Sequence, residues 1–110
     1  MIEEIIQNYL RENAFPCYMS VPEKPSGNFC VLEKTGSGYK DGIFTATLAV
    51  QSYGSSDYAA AQLSHRVVQT MLDADTLPEI VSCTLNTDYN FPDTTRKLPR
   101  YQAVFDVVHY

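Results

Sequence analysis

The sequence predicts an α+β fold: one mostly antiparallel sheet with two helices on one face, in the order α-β-β-β-α-β-β. Three observations carry that prediction. Two segments, Ile2–Asn13 and Tyr58–Leu72, repeat apolar residues at helical spacing. Other segments are rich in β-branched and aromatic residues and stop at proline or glycine. The strand-like runs follow one another through short connections, which favours an antiparallel or mixed sheet with the helices packed on one side.

In the first helix Ile2, Ile5, Ile6, Tyr9 and Leu10 share a face, and Glu3 and Glu4 suit the positive end of the helix dipole. Pro16 closes it by disfavouring helical dihedrals at Phe15. Cys17–Val21 reads as a short strand stopped by Pro22 and Pro25, with a turn at Ser26–Gly27. Phe29–Lys34 is the next strand. Thr35–Gly42 holds three glycines and reads as a long hairpin tip. Ile43–Tyr53 then alternates, with Phe44, Ala46, Leu48 and Val50 on one side and Thr45, Thr47, Gln51 and Tyr53 on the other. Gly54-Ser55-Ser56-Asp57 is a turn and helix-cap cluster. The second helix buries a stripe of Ala60, Leu63, Val67, Val68, Met71 and Leu72, while Gln62, Arg66 and Gln69 face away. Asp73-Ala74-Asp75 ends that helix, and Pro78 prevents its return. Glu79–Tyr89 is a strand, and Phe91–Pro99 is a loop bracketed by prolines.

The final run, Leu98–Tyr110, is the most informative. It reads as a strand to its last residue, and termini fray unless they are tied down. We therefore expect it to be paired and interior to the sheet. Tyr101, Ala103, Phe105 and Val107 form one face; Val104 and Val108 interrupt Gln102, Asp106 and Tyr110 on the other. A half-solvated strand is apolar on one side only, so the second face calls for a cover, either a helix or another subunit.

The 110 residues are expected to form one domain over 1–110, burying about 65% of the unfolded surface without disulfides or metal. The net charge of −5 argues against a protein that grips nucleic acid and fits a solubilised surface or a channel wall that DNA passes without sticking. No apolar run approaches the roughly 18 residues of a membrane span. The acidic Met-Ile-Glu-Glu start is unlike a secretory signal. Cys17, Cys30 and Cys83 are odd in number and widely spaced, which fits a reducing, intracellular setting.

Signals for chemistry are weak, and neither an enzyme nor a cofactor is expected. His65 and His109 read as exposed or core-edge histidines and lack metal-pair spacing. Gly36-Ser37-Gly38 lacks the Gly-Lys-Ser/Thr ending of a phosphate loop. Asp73, Asp75, Asp88 and Asp93 lack calcium-loop spacing and read as solvated turn residues. Two features stand out. Arg96, Lys97 and Arg100 are the densest basic cluster in an acidic chain, and offer a docking point for an acidic neighbouring subunit. The eight tyrosines, with no tryptophan, place Tyr39, Tyr53, Tyr58, Tyr89, Tyr101 and Tyr110 at loop edges and strand ends, where tyrosine favours interfaces.

The element order, the Ser55-Ser56-Asp57-Tyr58-Ala59 start of the long helix, and above all the ending Arg100–Tyr110 resemble the tail terminator (minor capsid or tail-completion) proteins of long-tailed bacteriophages and prophages. The resemblance implies a structural virion protein made in the bacterial host cytoplasm. It implies a ring, usually hexameric, that caps the head-proximal end of the tail tube and offers a surface to the head–tail connector. DNA would cross the ring without specific binding, and no membrane is involved. The expected partners are copies of the chain, the tail-tube protein and the connector. The expected contacts are Arg96, Lys97, Arg100, Tyr101, Val104, Val108 and Tyr110, plus a mobile loop of Gly36, Ser37, Gly38, Tyr39 and Lys40 that orders on contact. The alternatives are a head-completion or stopper protein of the same neck region, or a small-ligand-binding or enzymatic α+β domain.

Overall fold

A computed structural model describes residues 1–25 and 27–110, so Ser26 of the expected Ser26–Gly27 turn lies outside the described residues. The chain forms helix α1 (Ile2–Glu12), strands β1 (Cys17–Tyr18), β2 (Phe29–Lys40) and β3 (Ile43–Tyr53), helix α2 (Asp57–Met71), a 3-10 turn (Ala74–Thr76), and strands β4 (Ile80–Asn90) and β5 (Arg100–His109). The sheet order is β1-β2-β3-β5-β4. Only β1 pairs in parallel, with β2; the other three pairings are antiparallel. This is the α+β arrangement expected, with β5 interior to the sheet.

Both helices pack on the sheet face that carries Leu32, Leu48, Val50, Ala103, Phe105 and Val107. From α1 come Ile2, Ile6, Tyr9 and Leu10; from α2 come Leu63, Val67 and Met71. The α1 stripe closes in a reciprocal pair of backbone bonds, Phe15 N–H to the Leu10 carbonyl and Ala14 N–H to the Arg11 carbonyl, both 3.0 Å. Ala14 takes the left-handed position (φ 68°) that glycine usually fills there. Helix α2 starts where expected: the Ser56 side chain accepts from Ala59 N–H at 3.1 Å. Its stripe differs from the expectation at two positions. Leu72 caps the helix and is exposed, and Ser64 is buried, because its hydroxyl donates to Asp88 of β4 at 3.0 Å.

Two other expectations are corrected. Strand β1 ends at Tyr18 rather than Val21. More consequentially, Thr35–Gly42 is not a loop. Gly36, Ser37, Gly38, Tyr39 and Lys40 belong to β2 and pair with Thr47, Ala46, Thr45, Phe44 and Ile43 of β3. The turn is only Asp41-Gly42, with φ of 54° and 82°, the two-residue geometry that matches the twist of a hairpin. A bulge at Thr35 and the absence of side chains at two glycines disguise the strand. At Gly38 a Cβ would meet Thr45 Oγ1 at 2.8 Å, so the missing side chain makes room for a cross-strand neighbour. No helix among the described residues is long and apolar enough to cross a membrane.

Candidate assembly interface

The two ends of the sheet differ. At one end the proline-bracketed loop folds back on the strands and forms a clasp. Its centre is Asp93, which is 4% exposed and not the solvated turn residue expected from sequence. Tyr53 Oη donates to Asp93 Oδ2 at 2.8 Å, Arg96 N–H to Oδ1 at 3.1 Å, and Arg96 Nη1 to Oδ2 at 3.1 Å. Arg100 lies 3.8 Å from the same carboxylate, donates to Tyr53 Oη at 3.0 Å, and stacks over the Phe91 ring at 4.3 Å. Burial pushes the Asp93 carboxyl up, but the hydrogen bonds from Arg96 and Tyr53 and the charge of Arg100 outweigh it and hold it below its usual value. Phe29 stacks on Tyr53 at 4.6 Å, and with Val31, Val21 and Leu98 they seal this end of the second sheet face.

The clasp divides the expected basic docking point. Arg96 and Arg100 neutralise Asp93 within the chain, and only Lys97, in a left-handed conformation (φ 56°), points its charge to solvent without such a partner. Reversing Arg96 would set a carboxylate against a buried carboxylate. It would therefore test folding before it tested docking.

At the other end the β2–β3 hairpin reaches its Asp41-Gly42 turn one residue pair beyond the end of β5, beside the start of α1. Register places Tyr39 opposite Phe44, and Phe44 opposite His109, on the helix-bearing side of the sheet. The three rings form a row: Tyr39 and Phe44 centroids lie 4.6 Å apart, and Phe44 stacks on His109 at 5.5 Å. The core covers none of this row fully. Tyr39 is 64% exposed and Phe44 42%, although Phe44 lies on the side expected to be core. Between the row and the start of α1 runs a groove of about 580 Å³, lined by Met1, Ile5, Tyr39, Phe44, His109 and Tyr110 among others. Its charged groups are Glu3 and Lys34, paired at 3.8 Å.

Of the expected contact residues, Ser37, Gly38, Tyr39 and Tyr110 therefore meet at this groove. Val104 and Val108 lie elsewhere, half-buried on the sheet face opposite the helices. They sit among Thr45, Ala49, Thr84 and Asp106, with Gln51 donating to Gln102 at 2.9 Å beyond them and Gln102 donating to the Tyr89 hydroxyl. Among the described residues no helix covers that face. Tyr101 points to the helix side at the clasp end, opposite Ser52. Sequence reasoning missed Phe44, His109, Met1 and Ile5 as members of one surface. Asp41-Gly42 was the signal that finds them, since a two-residue turn puts Tyr39 and Phe44 side by side.

The groups available for chemistry are few. Burial pushes the Cys17 thiol up to about 11 and those of Cys30 and Cys83 up to about 12, so all three stay protonated at neutral pH. His65 is exposed on α2, and His109 Nδ1 meets the Tyr110 main-chain oxygen at 3.0 Å. Neither shares a hydrogen bond with a serine, cysteine or carboxylate among the described residues. Nor do the described residues include a group of three His, Cys, Asp or Glu side chains placed to hold a metal ion. What the hairpin end offers is aromatic and aliphatic area with polar tips, the composition of a protein–protein contact. No family model matches the sequence, and no curated protein matches it.

Proposed function

We propose that the chain is a structural assembly protein, a tail terminator that closes into a ring on the head-proximal end of a phage tail tube and presents a surface for head joining. The observation that carries the assembly part is the exposed aromatic row at the hairpin end of the sheet. Its rings pack against one another, yet Tyr39, Phe44, Met1 and Tyr110 remain between 42% and 71% exposed in one patch. Exposed apolar patches of this kind mark contact sites. The uncovered Val104–Val108 face supports the same reading, because it is a second partly apolar surface that the chain's own helices do not reach. The tail-terminator part rests on the resemblance of Arg100–Tyr110 and of the Ser55–Ala59 helix start. The chain binds copies of itself, the tail-tube protein and the connector, and the acidic surface lets DNA pass.

Electron microscopy of the purified protein, with and without tail tubes, tests this. Rings with a hole wide enough for duplex DNA, or a cap at one tube end, are expected. A protein that stays monomeric at every concentration and leaves tubes uncapped would overturn the reading.

A further inference from the structure

The sheet has two open edges. Strand β1 covers β2 only at Cys30 and Val31, so the outer edge of β2 from Glu33 to Lys40 is unpaired. At the opposite side β4 is the last strand, and its outer edge is unpaired along Ile80–Asn90. Unpaired edges present rows of N–H and C=O groups, and proteins usually blunt them with lysine, proline or a covering segment. Strand β4 has no proline, no lysine and no arginine, and Val81 and Leu85 on it are 45% and 39% exposed.

We infer that β4 of one copy adds to the Glu33–Lys40 edge of the next, continuing the sheet from subunit to subunit. This rests on the assembly reading above and specifies the contact that such an assembly uses. The strand directions suit it. Within the sheet β2 and β4 run in opposite senses, since β2 is antiparallel to β3, β3 to β5, and β5 to β4. A neighbour related by rotation about an axis along the strands therefore presents β2 antiparallel to β4, the pairing joined by perpendicular hydrogen bonds.

Register carried level across the sheet also matches charges. Gly36 pairs with Thr47, Thr47 with Asp106, and Asp106 with Thr84, so Gly36 and Thr84 stand at one height on the same face. Lys40 pairs with Ile43 at the end where Tyr110 N–H bonds the Glu79 carbonyl, so Lys40 of one copy meets Glu79 of the next. At the other end Leu32 is level with Asp88, which places Asp88 diagonal to Lys34 on the helix side. One end thus brings Lys40 against Glu79, and opposite charges on neighbouring strands favour pairing; at the other end Lys34 and Asp88 are already engaged within each copy, by Glu3 and Ser64. The bulges at Val81 and Asn86 add twist to β4, which bends a continued sheet toward closure. Two different edges joined head to tail form a ring when the rotation closes.

A paired substitution tests the contact. Within one chain Gly36 and Thr84 are three strand spacings apart, roughly 14 Å, too far for a disulfide. Between copies at level register they fall within disulfide range. Gly36 has room, since a Cβ there meets Thr47 Oγ1 at an ordinary 3.6 Å, and the three native cysteines are buried. The double variant Gly36→Cys with Thr84→Cys, oxidised under assembly conditions, should give a ladder of covalent multimers on a non-reducing gel, ending at the closed ring. Either single variant should give none. Lys40→Glu should lower ring yield by up to about fivefold per interface, and Lys40→Glu with Glu79→Lys should restore it. Rings that form with no ladder, or a charge swap that fails to restore them, overturn edge pairing and leave the assembly reading standing. Monomers at every concentration overturn both.

Discussion

The clasp end and the hairpin end of this sheet use similar residues for opposite purposes. At the clasp, Phe29, Tyr53 and Phe91 are joined by Arg100 and Asp93, and the Tyr53 hydroxyl and the Asp93 carboxylate meet partners from the same chain. At the hairpin, Tyr39 tilts against Phe44 at 4.6 Å and Phe44 stacks on His109 at 5.5 Å, but one side of the row faces solvent. The difference lies in what covers the rings. The loop Phe91–Pro99 returns over one end, held by Phe91 N–H to the Arg100 carbonyl at 2.9 Å and by the reciprocal Asp93–Leu98 bonds at 3.0 and 3.1 Å. At the other end the start of α1 runs beside the hairpin and covers its rings only in part. An aromatic row completed by its own chain contributes to stability; one left open is, under the proposed assembly role, available for association.

That contrast can be broken at the clasp first. Asp93→Ala leaves Arg100 and the Tyr53 hydroxyl without their shared acceptor, and should cost about 3 kcal/mol, read from urea unfolding. The same carboxylate sets an acid limit. Its folded pKa is lowered, so its contribution is complete above the unfolded carboxyl value of about 3.9 and disappears as pH falls below that through the folded value. Wild-type stability should therefore drop through this acid window, and Asp93→Asn should reduce the drop; an equal drop in the variant would show that other carboxylates are responsible.

Gly54 tests the same end through the backbone. It donates to the Pro99 carbonyl at 3.2 Å, and a Cβ there would lie 2.5 Å from the Ala60 nitrogen and 2.9 Å from the Ala59 carbonyl carbon. Gly54→Ala should cost about 2 kcal/mol by forcing β3 away from the start of α2, measured by thermal or urea denaturation. Phe44→Ser sharpens the contrast from the other side. Because Phe44 is 42% exposed, its loss should cost folding about 1–2 kcal/mol, less than Asp93→Ala, while ring formation on electron microscopy grids should fall sharply. A large stability loss with assembly intact would assign Phe44 to the core. Ala14→Gly has the smallest expected effect, a gain of up to about 1 kcal/mol, because glycine takes the left-handed helix-closing position without strain.

Some of this was legible in the sequence because it depends on neighbours in the chain. The helical stripes, the Ser56 cap and the alternation of Ile43–Tyr53 are set within a few residues, and they led to the correct elements. A hairpin at Thr35–Gly42 is expected from sequence, but its tip reads as too long because three glycines outweigh the Asp41-Gly42 pair, although the glycines of a strand need only a neighbour such as Thr45 to fill their space. Asp93 looked like a turn residue because its turn is real: Asp93 and Leu98 bridge across it. Its burial depends on Tyr53, 40 residues earlier, and on Arg100. The three basic residues likewise looked like one surface feature until Asp93 turned two of them inward.

The chain's local patterns determined which segments are helix and strand, and which face of each is apolar, because periodicity and capping act over one or two turns. The packed structure alone decided that β5 lies between β3 and β4, that the clasp neutralises a buried carboxylate, and that β2 and β4 are left as open edges. Those outcomes depend on which distant segments meet, and a contact between distant segments forms only when the packing of the whole sheet brings their side chains together.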